Sequence, residues 1–169
     1  RQTGRIGWRY GGQLTRDELV RSTDLTNGSF TERSYATMTI VPTFESTLAG
    51  GSTLTWRGGL TFDYSNRDGS ELSPLLGVSL ERIDGSGMTT WALEYAVTSQ
   101  LPGYTALKSN PTGLFGGNPE LGRETARQLA LSVTRDAGDW QARAAVFVRE
   151  DEDLVDWTFA TGAPFARQA

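Results

Sequence analysis

The chain has 169 residues, enough for one ordinary domain with a core if that domain is soluble and complete. Its formal net charge is −4 and it has neither Cys nor His. Without clustered Lys and Arg to release counterions a nucleic-acid partner is excluded. Without thiols or imidazoles, disulfides, thiolate metal sites and the commonest general base are missing. We therefore expect no enzyme activity, no metal and no cofactor. The longest apolar runs, such as Pro74-Leu75-Leu76-Gly77-Val78, fall far short of the ~20 residues a transmembrane helix needs, so a membrane-spanning form must be a barrel. The chain starts at Arg1 with no Met, basic n-region or apolar h-region, so we expect a fragment, or a protein whose secretion signal was removed.

Alternation of apolar and polar residues predicts strands along the whole chain. Ile6, Trp8 and Tyr10 mark the first, and Ala36, Met38, Ile40 and Phe44 the second. Pro42 inside the second cannot donate to a ladder and predicts a bulge or an edge. The third is the strongest: from Thr53 to Ser65, Leu54, Trp56, Leu60, Phe62 and Tyr64 oppose Thr55, Arg57, Thr61, Asp63 and Ser65. Gly58 and Gly59 within it suggest a bend or a close backbone approach. Leu76, Val78 and Leu80 give a fourth strand. Trp91, Leu93, Tyr95 and Val97 against Ala92, Glu94, Ala96 and Thr98 give a fifth, and Leu129, Leu131 and Val133 a sixth. Trp140, Ala142, Ala144, Val146 and Val148 oppose Gln141, Arg143 and Arg149 in a seventh, although Phe147 falls on the polar parity. Val155, Trp157 and Phe159 mark the last.

Tight turns at Ala49-Gly50-Gly51, Asp84-Gly85-Ser86-Gly87 and Asp136-Ala137-Gly138 alternate with longer links at 21–33, 66–70 and 99–125. In an up-and-down meander every second connection lies at the same end, so one end carries turns and the other loops, the asymmetry of outer-membrane barrels. Strands of ~10 residues also suit a hydrocarbon layer better than a soluble sheet. Trp8, Tyr10, Tyr64, Trp91, Trp140 and Trp157 are expected near strand ends, at headgroup level. The expected fold is all-β: an antiparallel up-and-down meander of about eight long strands, an open segment of a large transmembrane β-barrel. The apolar parity would meet lipid, leaving Arg57, Glu94, Arg143 and Arg149 in the lumen, with Asp63 on the same parity.

Three groups of residues carry a family resemblance. Gly116-Gly117-Asn118-Pro119-Glu120-Leu121 followed by Arg123-Glu124-Thr125 resembles the Gly-Asn-Pro-x-Leu-x-Pro-Glu-Thr pattern that introduces a late strand in TonB-dependent outer-membrane receptors, with Arg123 in place of Pro. In the strand after it, Ala130 and Ser132 replace the family's usual Glu and Gly. Phe147-Val148-Arg149 with Asp153-Leu154-Val155-Asp156-Trp157 is similar to a strand end of cobalamin- and siderophore-type members. Trp91 to Leu101 followed by Pro102 resembles the strand and proline before the loop, whereas 1–70 matches by periodicity alone. Independently of any family, Asn118 can cap a turn, Pro119 fits its first position and Glu120 favours its positive end.

The resemblance implies that residues 1–169 are part of a receptor barrel of about 22 strands whose N-terminal plug and energy-coupling box are absent here. Such a receptor resides in the bacterial outer membrane and imports a scarce nutrient, siderophore-iron, cobalamin or similar. Its implied partners are outer-membrane lipid, the plug of the same full-length receptor, TonB through parts not in this chain, and the nutrient ligand. Gly117, Asn118, Pro119, Glu120, Leu121 and Glu124 are the structural loop motif. Arg57, Glu94, Arg143 and Arg149 are candidates to hydrogen-bond a plug or line a wet path.

Two other architectures fit the strand count: a complete small eight-stranded barrel, or an extracellular β-sandwich with a binding role. Other motifs point to ordinary structure. Glu150-Asp151-Glu152-Asp153 lacks the spacing and turn glycine of a calcium loop and reads as a solvated strand end. Asn27-Gly28-Ser29 reads as a turn. Gly113-Leu114-Phe115-Gly116-Gly117 lacks the Lys-Ser or Lys-Thr of a phosphate cradle. Asp153 and Asp156 have no cleft for glycoside chemistry.

Overall fold

Period-two segments rich in Thr, Val and aromatic residues become strands because successive side chains leave a pleated backbone on opposite faces. The computed structural model describes residues 4–110, 115–156, 158–159 and 167–168. In chain order its elements are β1 (Gly4–Glu18), β2 (Glu32–Thr47), β3 (Thr53–Ser65), β4 (Gly69–Asp84), β5 (Gly87–Gln100), the short helix α1 (Tyr104–Lys108), β6 (Phe115–Gly116), β7 (Glu124–Asp136), β8 (Gln141–Glu152), β9 (Thr158–Phe159) and β10 (Arg167–Gln168). Seven strands form one antiparallel meander in the order β1-β2-β3-β4-β5-β7-β8, and β6-β10-β9 form a separate small sheet. Among the described residues β1 and β8 each pair on one side only, so the large sheet is open.

The register aligns the faces predicted from parity. One row across the sheet reads Ile6, Phe44, Trp56, Val78, Leu93, Leu131, Val146, one residue from each strand. The neighbouring row on the opposite face includes Glu45, Thr55, Ser79, Ala92, Ser132 and Ala145. No second layer covers the apolar row among the described residues: Ile6 is 69%, Leu93 43% and Val146 68% exposed. Among the described residues the buried apolar side chains are Pro102, Ala106, Leu107 and Ala126, and Ala126 alone of these belongs to the large sheet, so its described strands enclose no hydrophobic core of their own.

The apolar band runs obliquely to the hydrogen-bonded rows. Tyr10 is level with Ile40, Leu60 and Pro74. One step beyond the Leu75–Ala96 pair, the same level continues as Val97, Arg127 and Glu150. At the other margin Gly4 and Ser46 are level with Leu54, Leu80, Trp91, Val133 and Ala144. The band thus slips by about one residue per strand; at a rise of ~3.3 Å against a strand spacing of ~4.8 Å this is a tilt of about 35°. Along β3 it extends from Leu54 to Tyr64, ~34 Å of strand, which at such tilts gives a height of about 25–28 Å.

Several expectations are corrected. There are seven long strands in the sheet; of the eighth, Thr158–Phe159 is extended but belongs to the small sheet, and Trp157 lies outside the described residues. The β3–β4 link is only Asn66–Asp68, because Gly69 turns with φ +68°, so the long connections are 19–31 and 101–123. Pro42 lies neither at a bulge nor on an edge strand. It faces Trp8 in β1, and the β2–β3 register resumes unshifted on either side of an unpaired stretch opposite Gly58 and Gly59. A Cβ on Gly59 would stand 2.7 Å from the Ile40 carbonyl oxygen, the close approach expected there. Trp8 and Tyr10 sit inside β1 rather than at its end, and Trp140 lies in the turn before β8. Phe147 does project from the polar face, opposite Ala130.

A single sheet with a bare apolar face and two unpaired edges is a template for association. The chain in detergent-free water is expected to elute in the void volume by size-exclusion chromatography. A monodisperse monomer there would contradict the unpartnered face.

Candidate functional site

The polar face and the loop end together form the candidate site. Thr43, Arg57, Gly77, Glu94, Ala130 and Phe147 share one row on the polar face. Arg57 reaches across β4 to form an ion pair with Glu94 on β5. Gly77 makes room for it: a Cβ there would lie 2.7 Å from Arg57 Nε. Arg143 and Arg149 project from the same face of β8, and Arg149 pairs with Asp151 at 2.7 Å. The fold therefore brings Arg57 and Glu94 together and leaves Arg143 and Arg149 apart from them, on the sheet's edge. Glu150 and Glu152 belong to the other face, where Arg127 pairs with both. The acidic run is thus split between the two faces by strand geometry.

Asp63 was legible only as a polar-parity residue, yet it organises the face near the loop end. It is 4% exposed and accepts hydrogen bonds from Tyr35 Oη at 2.7 Å and Thr37 Oγ1 at 2.6 Å. Thr39 and Thr61 bond each other one row further along, at 3.0 Å. Replacing Asp63 by Ala leaves both hydroxyls without their acceptor. With ~1.5–3 kcal/mol for a bond to a charged group, Asp63→Ala is expected to lower stability by about 3 kcal/mol in a denaturant titration of the folded protein. Thr37→Val should lose roughly half as much.

The buried residues of the large sheet, Asp63, Ser65, Ser73, Gly77 and Ala126, all belong to the polar face; Arg57 covers Gly77, and the loops lie over the loop end of that face. The 19–31 and 101–123 loops interlock. Asn27 N donates to Lys108 O at 2.9 Å and Asn27 Nδ2 to Gly117 O at 2.8 Å. Lys108 Nζ donates to Gly28 O at 2.8 Å, and Asn110 N to Asp24 O at 2.9 Å. Gly28 has φ +67°, the left-handed geometry that the Asn-Gly turn predicts. Phe30 stacks on Tyr104, with Arg33 over Tyr104 and Arg67 over Phe30. Burial, the largest influence, raises the Tyr104 phenol above its ordinary value against the opposing charge of Arg33.

The loop motif is the seam of this assembly. Gly117 N donates to Ser109 O at 3.0 Å and Asn118 N to Ala106 O at 2.8 Å. A Cβ on Gly117 would lie 2.6 Å from Ser109 N and 3.0 Å from Leu107 C, backbone atoms that cannot swing aside. Asn118 Oδ1 accepts from Glu120 N at 2.9 Å and Asn118 O from Leu121 N at 3.4 Å. Asn118 thus caps a turn with Pro119 at its first central position, as read from the sequence. Glu124 Oε1 accepts from Val155 N at 2.9 Å, tying the start of β7 to the Asp153–Asp156 segment. Two separate parts of the sequence resemblance therefore meet in space.

Arg67 is the residue that sequence reading missed. From the short β3–β4 link it donates from Nη2 to both Pro119 O and Leu121 O at 2.7 Å, while Nη1 pairs with Asp68. Arg123, the departure from the family pattern, donates to Gly69 O at 3.0 Å and Ser99 Oγ at 3.3 Å. No local signal marks either role, because the partners lie tens of residues away along the chain. No protein family, curated protein or solved structure matches this chain.

Proposed function

We propose that the chain forms wall strands and outer loops of an energy-coupled import receptor of the TonB-dependent kind in a bacterial outer membrane. The observation that carries this reading is the apolar band: continuous over seven strands, uncovered by any described layer, and oblique to the rows by the slope of tilted barrel strands. Lipid is the partner for that face. The opposite face, with the Arg57–Glu94 pair and the Asp63 network, suits a hydrated lumen and the plug of the same full-length receptor. TonB would act through parts outside this chain.

Import of a scarce nutrient, siderophore-iron, cobalamin or similar, rests on the resemblance of Gly116–Thr125 and Phe147–Trp157 to such receptors. The interlocked loops are where that ligand would be captured. The small closed barrel requires β1 to pair with β8, and both are edges among the described residues. The sandwich requires a second sheet across the apolar face, and none is present among the described residues.

Two measurements test the reading. Folding the chain into vesicles with brominated acyl chains should give a β-type circular dichroism spectrum and quench Trp8, Trp56 and Trp91 together; an unquenched, folded protein removes the lipid-facing assignment. Replacing residues 101–123 by a short Gly-Ser linker in the intact protein in its host should preserve outer-membrane assembly and abolish growth on the limiting nutrient. Unchanged growth on every candidate nutrient would count against import.

A further inference from the structure

Toward the tight-turn end the apolar face is not smooth. Because Ala144 stands beside Val133, which in turn is level with Trp91, small and large side chains meet and leave a shallow groove. Its volume is about 270 Å³ and Trp91, Leu131, Val133, Ala144 and Val146 line it. Such a trough is the shape and polarity of part of an acyl chain. One row beyond it toward the turns, the same face carries Arg82, Thr89, Arg135 and Ala142 at one level. Arg82 and Arg135 therefore flank Thr89, roughly 10 Å apart by strand spacing, within reach of a single phosphate on two long side chains.

The two arginines differ in state. Arg135 is held by Asp84 through both terminal nitrogens at 2.9 Å, and it also donates to Thr89 Oγ1 at 2.7 Å. These bonds, with those from Ser86, hold the Asp84 carboxyl well below the usual carboxylate range, so it stays charged at neutral pH and neutralises Arg135. Arg82 is exposed and has no hydrogen-bond or ion-pair partner among the described residues. It leaves a net positive charge at the polar end of an apolar groove. Charged groups one row outside an apolar band lie where lipid phosphates lie.

We propose that this feature is a binding site for one diacyl glycerophospholipid of the leaflet at the tight-turn end. Its phosphodiester sits at Arg82, with Arg135 and Thr89 as a preformed floor, and one acyl chain lies in the Trp91–Leu131–Val146 groove. The inference rests on the lipid-facing reading of the apolar band and adds a specific, saturable site to it.

The test uses the full chain in detergent micelles, with Trp91 kept as its only tryptophan. Phosphatidylglycerol with brominated acyl chains is titrated in, against phosphate-free brominated diacylglycerol and inorganic phosphate. Saturable quenching is expected from phosphatidylglycerol, half-maximal at a concentration at least ten-fold below that needed with diacylglycerol, and inorganic phosphate should not displace it. Arg82→Gln and Ala144→Leu, one removing the charge and the other filling the groove, should each weaken binding about ten-fold while the circular dichroism spectrum is retained. Equal, non-saturating quenching by both lipids, or quenching unaltered by both substitutions, overturns the site but leaves a lipid-facing surface. Displacement by inorganic phosphate would instead mark a simple anion site. Absence of quenching by any lipid overturns the lipid-facing reading itself.

Discussion

Leu93→Arg is expected to destabilise the membrane-folded protein by about 2–4 kcal/mol, the cost of a guanidinium near the midplane of a barrel's lipid face. Leu93 occupies the middle of the row that runs from Ile6 to Val146, level with Val78 and Leu131 on its two neighbours. At 43% exposure it has no protein layer among the described residues to bury the charge and no acidic neighbour in that row. Ser132→Arg is the control: Ser132 lies one position from Leu131 in sequence but on the polar face, opposite Ala92 and Ala145. Its variant should lose less than about 1 kcal/mol, as for an ordinary surface change. Denaturant titrations from lipid vesicles measure both. Equal losses at the two positions would mean that the apolar face does not meet hydrocarbon.

Arg67→Ala is expected to free the loop seam without unfolding the sheet. The Arg67 side chain is only 13% exposed, and its two bonds to the Pro119 and Leu121 carbonyls hold the turn that Asn118 begins. With ~1.5–3 kcal/mol for each bond to a charged group, local stability should fall by about 3 kcal/mol, or ~100-fold in opening equilibrium. Amide hydrogen exchange at Gly117, Asn118 and Leu121 reports that directly, since their donors are bonded within the seam. Exchange in β3, β4 and β5 should be unchanged. Arg67→Lys should behave like the alanine variant, because one ammonium cannot pair with Asp68 and at the same time reach both carbonyls, as the two terminal nitrogens of the guanidinium do. Protection retained in both variants would show that the loops are held by Asn27 and Lys108 alone.

The polar and apolar faces were both legible in the residues of β3, β5 and β7, because strand parity is a local property: neighbouring side chains must point to opposite sides whatever the partner strand. So were the glycine turn at Gly50-Gly51, whose φ values of +85° and +78° suit glycine, and the Asn118–Pro119 turn. Strand ends were less legible. β1 and β4 run far past their apolar cores because pairing with β2 and β3 extends them. The 66–70 link looked long from its polar residues but closes in three once β3 and β4 pair.

What the sequence by itself determined is the class, the orientation of each side chain relative to its neighbours, and the local turns. Only the tertiary structure decided the slope of the apolar band, the meeting of Arg57 with Glu94 over Gly77, and the capture of the 117–121 carbonyls by Arg67. Each of these depends on which residue of one strand or loop stands beside which residue of another. That register is set by pairing summed over whole strands, and no local pattern of side chains contains it.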